Sequence, residues 1–214
     1  MTAEIVAESD VVLCVGDTTF LDYDSIVAKK EGYGPIGKGG NGLILHSGLA
    51  ISPMNGQPLG LLWQKLWNRE PKQKPPKNET PTQKKKRQAA TRKLARNRPF
   101  EQKESYRWVE ALTTVEKLVN KHTRVVHAFD REGDITEVFD KVRQLQHTGV
   151  LVRAAYNRSL DSDSERLWSN VKPEQNGQPL NPTTVVYLEV NANEGCPFCP
   201  VFPHVKVVSP NYQF

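Results

Sequence analysis

Residues 124–134 read Arg-Val-Val-His-Ala-Phe-Asp-Arg-Glu-Gly-Asp, and residues 11–19 read Val-Val-Leu-Cys-Val-Gly-Asp-Thr-Thr. Each is a short apolar run rich in β-branched residues that closes on an aspartate, Asp130 in one and Asp17 in the other. A run that stays apolar without alternating fits a strand covered on both faces, as in a parallel sheet. A carboxylate at the end of such a strand offers hard oxygen to Mg²⁺, an ion that keeps positions open for other oxygens. Two such ions, about 4 Å apart, activate one oxygen and stabilise another in phosphodiester chemistry. That arrangement usually takes a third carboxylate.

Around these runs the chain alternates strand and helix signals. Val11 to Val15 predicts a central strand, and Phe20 to Gly40 reads as loop, with glycines at 32, 34, 37, 39 and 40. Leu43 to Ile51 and Leu59 to Trp67 predict two further strands, joined through Pro53-Met54-Asn55-Gly56, whose Asn-Gly pair is hairpin chemistry. The first three strands are therefore expected as an antiparallel meander. Glu101 to Asn120 carries Trp108, Leu112, Val115 and Leu118 at helical spacing. Thr123 to Phe129 predicts the fourth strand. Asp134 with Glu137 three residues on reads as a capping box opening a helix to about Gln146. Gly149 to Arg153 predicts the fifth strand. Beyond it, Ser164 to Asn170 reads as a helical turn, with strands over Thr183 to Val190 and Val205 to Val208.

The chain has 214 residues, a formal net charge of +5 and 37% hydrophobic residues, with a mean hydropathy of −0.57. The excess charge is local. Pro71 to Arg98 holds eleven Lys or Arg against one acid, Glu79, a segment charge of +10 that leaves the remainder at −5. So dense a run of like charge points to a polyanion partner, although Gln88 to Arg96 also has the composition of a basic helix. The 3 cysteines, Cys14, Cys196 and Cys199, make no disulfide framework. Cys14 lies in the first strand, where a thiol packs as a small hydrophobe. Cys196-Pro-Phe-Cys199, even with His204, falls short of the four ligands of a tetrahedral zinc site. No stretch approaches the roughly 18 apolar residues of a membrane span, and the first residues lack a charged-then-apolar leader pattern. The expectation is a cytoplasmic, nucleoid-associated protein without a membrane partner.

Several blocks, taken in order, resemble the DDE transposases of bacterial insertion sequences, in particular the family-four branch that cuts and pastes through a DNA hairpin. The blocks are Asp17-Thr18-Thr19 with Leu21-Asp22-Tyr23, Gly42 to Ser47, and Gly60-Leu-Leu-Trp-Gln-Lys-Leu-Trp67. Lys103-Glu-Ser-Tyr-Arg-Trp108, Asp130-Arg-Glu-Gly-Asp134 and Val150-Leu-Val-Arg153 complete the set. The resemblance implies an α/β, ribonuclease-H-like mixed sheet, three antiparallel strands followed by two parallel ones with helices, and then part of a β-rich insertion domain. In those terms residues 1–70 carry the first three strands, 71–98 a flexible basic insert, 99–155 the rest of the core, and 156–214 the partial insertion domain with an irregular tail. It further implies Asp17 and Asp130 as catalytic metal ligands, Mg²⁺ or Mn²⁺ as the ion, and Arg153 near DNA.

The family's third carboxylate lies in a Tyr-x-x-Arg-x-x-x-Glu helix, and no such pattern occurs in this sequence. The family's DNA-end-recognition domain would precede Asp17. The chain is thus expected to be an internal portion of such a transposase, truncated at both ends, with Mg²⁺ weakly held and little activity alone. The alternative is a non-catalytic DNA-binding chain that inhibits a full-length transposase. A third is an unstable remnant. Candidate DNA contacts are Lys84, Lys85, Lys86, Arg87, Arg92 and Lys93 in the insert, with Arg131, Arg153 and Arg158 beside the carboxylates. Transposon ends and target DNA are the implied partners. Asp134 reads as a cap rather than a ligand, Glu132 is ambiguous, and His46 reads as a core histidine. Trp63, Trp67 and Trp108 read as core, while Trp168 lies where the family holds a flipped base.

Overall fold

The computed structural model describes residues 2–25, 31–37, 39–71, 75–157, 187–191 and 206–208. Strand β1 (Val11–Asp22) is followed by β2 (Gly34–Gly37), β3 (Gly40–Ile51), β4 (Pro58–Trp67), β5 (Arg124–Phe129), β6 (Thr148–Arg153), β7 (Tyr187–Asn191) and β8 (Lys206–Val208). The helices are α1 (Thr2–Val6), α2 (Pro81–Asn97), α3 (Tyr106–Leu118) and α4 (Thr136–Val142). The result is an α/β protein with a mixed sheet of parallel and antiparallel strands. By its contacts the chain divides into two units, one of Met1–Asp17, His46–Gln64 and Trp108–Phe214, the other of Thr18–Leu45 and Lys65–Arg107.

In the first unit β1 pairs parallel with β5, and β5 parallel with β6. On the other side of β1 lies β3, which also pairs with β4. A Cβ on Gly48 of β3 would meet Cys14 Sγ of β1 at 2.8 Å. In the second unit one on Gly42 would meet the Leu21 carbonyl. Residue numbers therefore run in opposite directions along β1 and β3, as the meander requires. Period-two burial sets the core: Val12 and Cys14 in β1, Val125 in β5 and Ala50 in β3 are buried. Helix α3 packs on this face through Ala111 and Val115, joined by Val6, Leu62, Trp63 and Val119. Burying each large side chain contributes roughly 1.5–3 kcal/mol. Strand β6 is buried at Thr148, Gly149, Val150 and Val152, as a strand between neighbours should be. β7 pairs antiparallel with β6, and β8 with β7, so these pieces of 156–214 add to the core sheet.

In the second unit β2 and β3 form a short antiparallel hairpin, Gly34 opposite Gly42. Its strand, and the run of β1 out to Asp22, replace much of the loop expected over 20–40. The physical reason is that glycine-rich strands carry no apolar alternation to read. Helix α2 is the second difference. Thr80 accepts the Gln83 amide and Gln83 Oε1 accepts the Thr80 amide, so a capping box starts the helix at Pro81, well before Gln88. Every residue of α2 is exposed.

Two helix expectations shift. The buried stripe of α3 is Trp108, Leu112 and Val115, continued by Val119 just past its end, while Leu118 is 49% exposed. The i, i+4, i+7, i+11 series stays on one side of a 3.6-residue turn and position 118 falls off it. Helix α4 ends at Val142 rather than near Gln146. No helix among the described residues is long and apolar enough to cross a membrane.

Candidate functional site

Register decides where the acidic residues lie. Gly16 of β1 stands opposite Phe129 of β5, and Phe129 opposite Val152 of β6. The next residue along each strand direction is Asp17, Asp130 and Arg153, so two carboxylates and a guanidinium fall in one row where the parallel pairing stops. Asp130 and Arg153 stand at the ends of β5 and β6, whereas β1 runs on through Asp17 to Asp22, which corrects the expectation that Asp17 closes its strand. Asp17 and Asp130 are exposed. Asp130 also opens a single 3-10 turn, Arg131–Gly133, and its Oδ1 accepts the Glu132 amide at 2.9 Å. That bond fixes the carboxylate's rotation and leaves Oδ2 as the oxygen for an outside ligand. The Nε of Arg153 is buried and finds no acceptor among the described residues.

Beneath the row, Phe129 is gripped from both sides. A Cβ on Gly16 would lie 2.8 Å from Phe129 Cε1, and one on Gly133 2.6 Å from Phe129 Cβ. Real side chains do not approach that closely, so both positions require glycine for close approach. The Trp108 ring lies 4.6 Å from Phe129, centroid to centroid. The residue before Asp17, the residue before Asp130 and the end of its turn are thereby packed as one piece, a feature that no motif announces in the sequence.

Asp134 corrects the expectation of a helix cap. The N-cap of α4 is Ile135, with no side-chain cap bond. Asp134 is 1% exposed and its Oδ2 accepts the amides of Ala155 at 2.7 Å and Tyr156 at 3.2 Å. It ties the exit of β6 to the turn that follows Asp130. Glu116 plays a related part from α3, accepting Gln146 and His147 amides and the Thr148 hydroxyl. Burial pushes its carboxyl up, but the bonds from Thr148, Gln146 and His147 outweigh that and leave it below the ordinary carboxylate value.

Two histidines lie in the core of the first unit. His46 is fully buried, its ring 4.3 Å from Trp108 and 5.5 Å from Trp63, in line with a core role. His127 is also fully buried, and neither ring nitrogen has a hydrogen-bond partner among the described residues. Burial lowers its pKa to about 3, with His46 adding to the fall and Glu116 opposing it. The Cys14 thiol, also buried and free, is pushed up to about 12 by desolvation.

In the second unit the Lys103–Arg107 part of its block supplies structure. Glu104 takes a two-pronged bond from Arg69, 2.6 and 2.7 Å, which with further help from Arg107 and Trp67 holds it below the usual carboxylate range against its burial. Arg107 donates Nε to Thr18 Oγ1 at 3.2 Å and Nη1 to the Glu104 carbonyl, with its guanidinium 5.8 Å from the Trp67 ring centroid. Lys84, Lys85, Lys86, Arg87, Arg92 and Lys93 all lie on the exposed helix α2, where Arg87 is bound to Glu79 at 2.7 Å. Arg131 is exposed beside Asp130. Arg158, Trp168, Cys196, Cys199 and His204 lie outside the described residues.

Tested against Mg²⁺, the row supplies the right kind of donor, carboxylate oxygen, at neighbouring register positions of two adjacent strands. Among the described residues no group of three His, Cys, Asp or Glu comes together. Two carboxylates fit an ion that completes its shell with water, which is weak binding for a metal that dehydrates reluctantly. No protein-family model matches this chain, and no curated protein matches it.

Proposed function

We propose that this chain carries the catalytic-core portion of a DDE-type transposase with a ribonuclease-H-like sheet, acting on DNA in the cytoplasm. The observation behind this reading is the row Asp17, Asp130 and Arg153, each one residue past the Gly16–Phe129–Val152 register of adjacent parallel strands. The order β3-β1-β5-β6, with β4 also paired to β3 and with β1–β5 and β5–β6 parallel, is compatible with that fold. Asp17 and Asp130 would hold Mg²⁺, or Mn²⁺ in its place. The bound ion supplies Lewis-acid activation of water and stabilisation of the leaving 3′-oxygen. The protein's part is to fix direction. Asp130 accepts the Glu132 amide, Phe129 packs against Gly16 and Gly133 and so holds the residues beside both aspartates in step, and Arg153 offers a donor to a phosphate beside the carboxylates.

With two carboxylates in place of three, the 214-residue chain is expected to hold the ion loosely and cut slowly by itself. A misplacement of about 1 Å costs on the order of 10²-fold in rate. The exposed basic helix favours a second reading, a DNA-binding chain that does not cut and that competes with a complete transposase. Mn²⁺ titration followed by water-proton relaxation, with supercoiled-plasmid nicking alongside, separates the readings. The core reading expects Mn²⁺ binding that Asp17→Asn and Asp130→Asn each weaken at least tenfold. Wild-type and variant chains that bind Mn²⁺ equally would reject it. A salt-sensitive gel shift with no metal binding and no nicking would favour the second reading.

A further inference from the structure

Helix α2 is two-sided in charge. At 3.6 residues per turn, Lys85, Lys86, Arg92, Lys93 and Arg96 fall within an arc of about 120°, with Ala89 at its centre. Lys84 and Arg87 fall on the other side with Leu94, which is 73% exposed, and Arg87 is already bound to Glu79. None of the five on the arc has an ionic partner among the described residues. Arg92 and Arg96 stand four apart and Lys93 and Arg96 three apart, spacings at which like charges destabilise a helix. The first turn holds no acid to complement the helix dipole. The capping box and the Glu79 bridge stabilise the helix, and five unneutralised cations on one face oppose it.

We propose that this face, and not the helix as a whole, is a docking surface for the phosphates of duplex DNA, which deepens the reading given above and rests on it. A helix of 17 residues is about 25 Å long and 10–12 Å across, matching a major groove about 12 Å wide. The small Ala89 between the cations lets the face approach the backbone closely. Contacts from these lysines and arginines to phosphates give register and affinity rather than base choice. Five neutralised phosphates correspond to a log–log salt slope of about −4.5.

The test uses the full chain in EDTA with a 30-base-pair duplex (about three helical turns) and fluorescence anisotropy over a salt series. Arg92→Gln/Arg96→Gln and Lys84→Gln/Arg87→Gln remove the same charge from opposite faces. The first pair is expected to lower the salt slope by about 2, the second by less than half of that, with circular dichroism confirming that both fold. Equal losses from the two pairs, or no loss from either, would overturn the face assignment. Preference for phosphatidylserine vesicles over the duplex would overturn it too. A wild-type chain that binds no duplex at low salt removes the DNA reading as well. Loss of Mn²⁺ binding by Asp17→Asn with duplex binding intact shows that the metal site and the docking face stand or fall separately.

Discussion

Acidification should unfold this protein through His127, and the size of the effect follows from its surroundings. The imidazole is fully buried between strands, with no hydrogen-bond partner among the described residues and a pKa lowered to about 3. In the unfolded chain it returns to about 6.5. The folded state therefore refuses a proton that the unfolded state accepts, and stability falls as pH drops from about 6.5 toward 3. Each unit in that window costs about 1.4 kcal/mol, so the loss is about 2 kcal/mol at pH 5 and about 4 kcal/mol at pH 3. Against a typical total of about 5–15 kcal/mol, that is a large share. Urea unfolding followed by fluorescence of the buried Trp63 and Trp108 at pH 7, 6 and 5 measures it. His127→Leu removes the titrating group and two unsatisfied nitrogens at similar volume. The stability difference between variant and wild type should shift by about 2 kcal/mol in the variant's favour between pH 7 and pH 5. Parallel stability curves would refute the argument, because the burial of a neutral imidazole would then carry no linkage.

Three further outcomes are expected. Gly133→Ala should destabilise by about 1–3 kcal/mol through overpacking against Phe129 and weaken Mn²⁺ binding, and unchanged thermal unfolding would count against the glycine grip. Asp134→Ala leaves the Ala155 and Tyr156 amides without their acceptor and should cost about 1–3 kcal/mol for each, whereas Asp134→Asn, which keeps an oxygen, should recover part of it in denaturant melts. For Glu116, the lowered folded pKa means stability present above the unfolded carboxylate value, about 4.3, and lost as pH falls through the folded one. Glu116→Gln should flatten that acid limb, and a limb of unchanged steepness would argue against the three-bond role.

Much of the sheet was legible because its signal is local. Val11 to Val15 and Thr123 to Phe129 announce strands by β-branching and lack of alternation, and Asp17 and Asp130 each fall one residue beyond a paired position, although β1 itself runs on to Asp22. Cys14 and His46 read correctly as core. What could not be read depends on partners far along the chain. Asp134 and Glu137 have the spacing of a capping box, but the amides at 155 and 156 compete for the Asp134 carboxylate, and nothing near residue 134 encodes that competition. The glycines at 16 and 133 look like turn residues until Phe129 is seen filling the space of both missing side chains. The β2–β3 hairpin is glycine-rich and gives no periodicity. Helix α2 was only half visible, since Lys, Gln and Arg favour helix and disorder alike, and the Thr80–Gln83 reciprocity settles where it begins.

Because α2 begins with its own Thr80–Gln83 cap and all its residues are exposed, its sequence is released from the constraints that fix every other helix here. Residues on it can be exchanged, added or trimmed without opening a void anywhere in the body, as long as the Thr80 start is kept. Relatives of this chain could therefore carry the same body with very different versions of this appendage, and a laboratory could graft another binding helix at residues 81–97 while leaving the fold untouched.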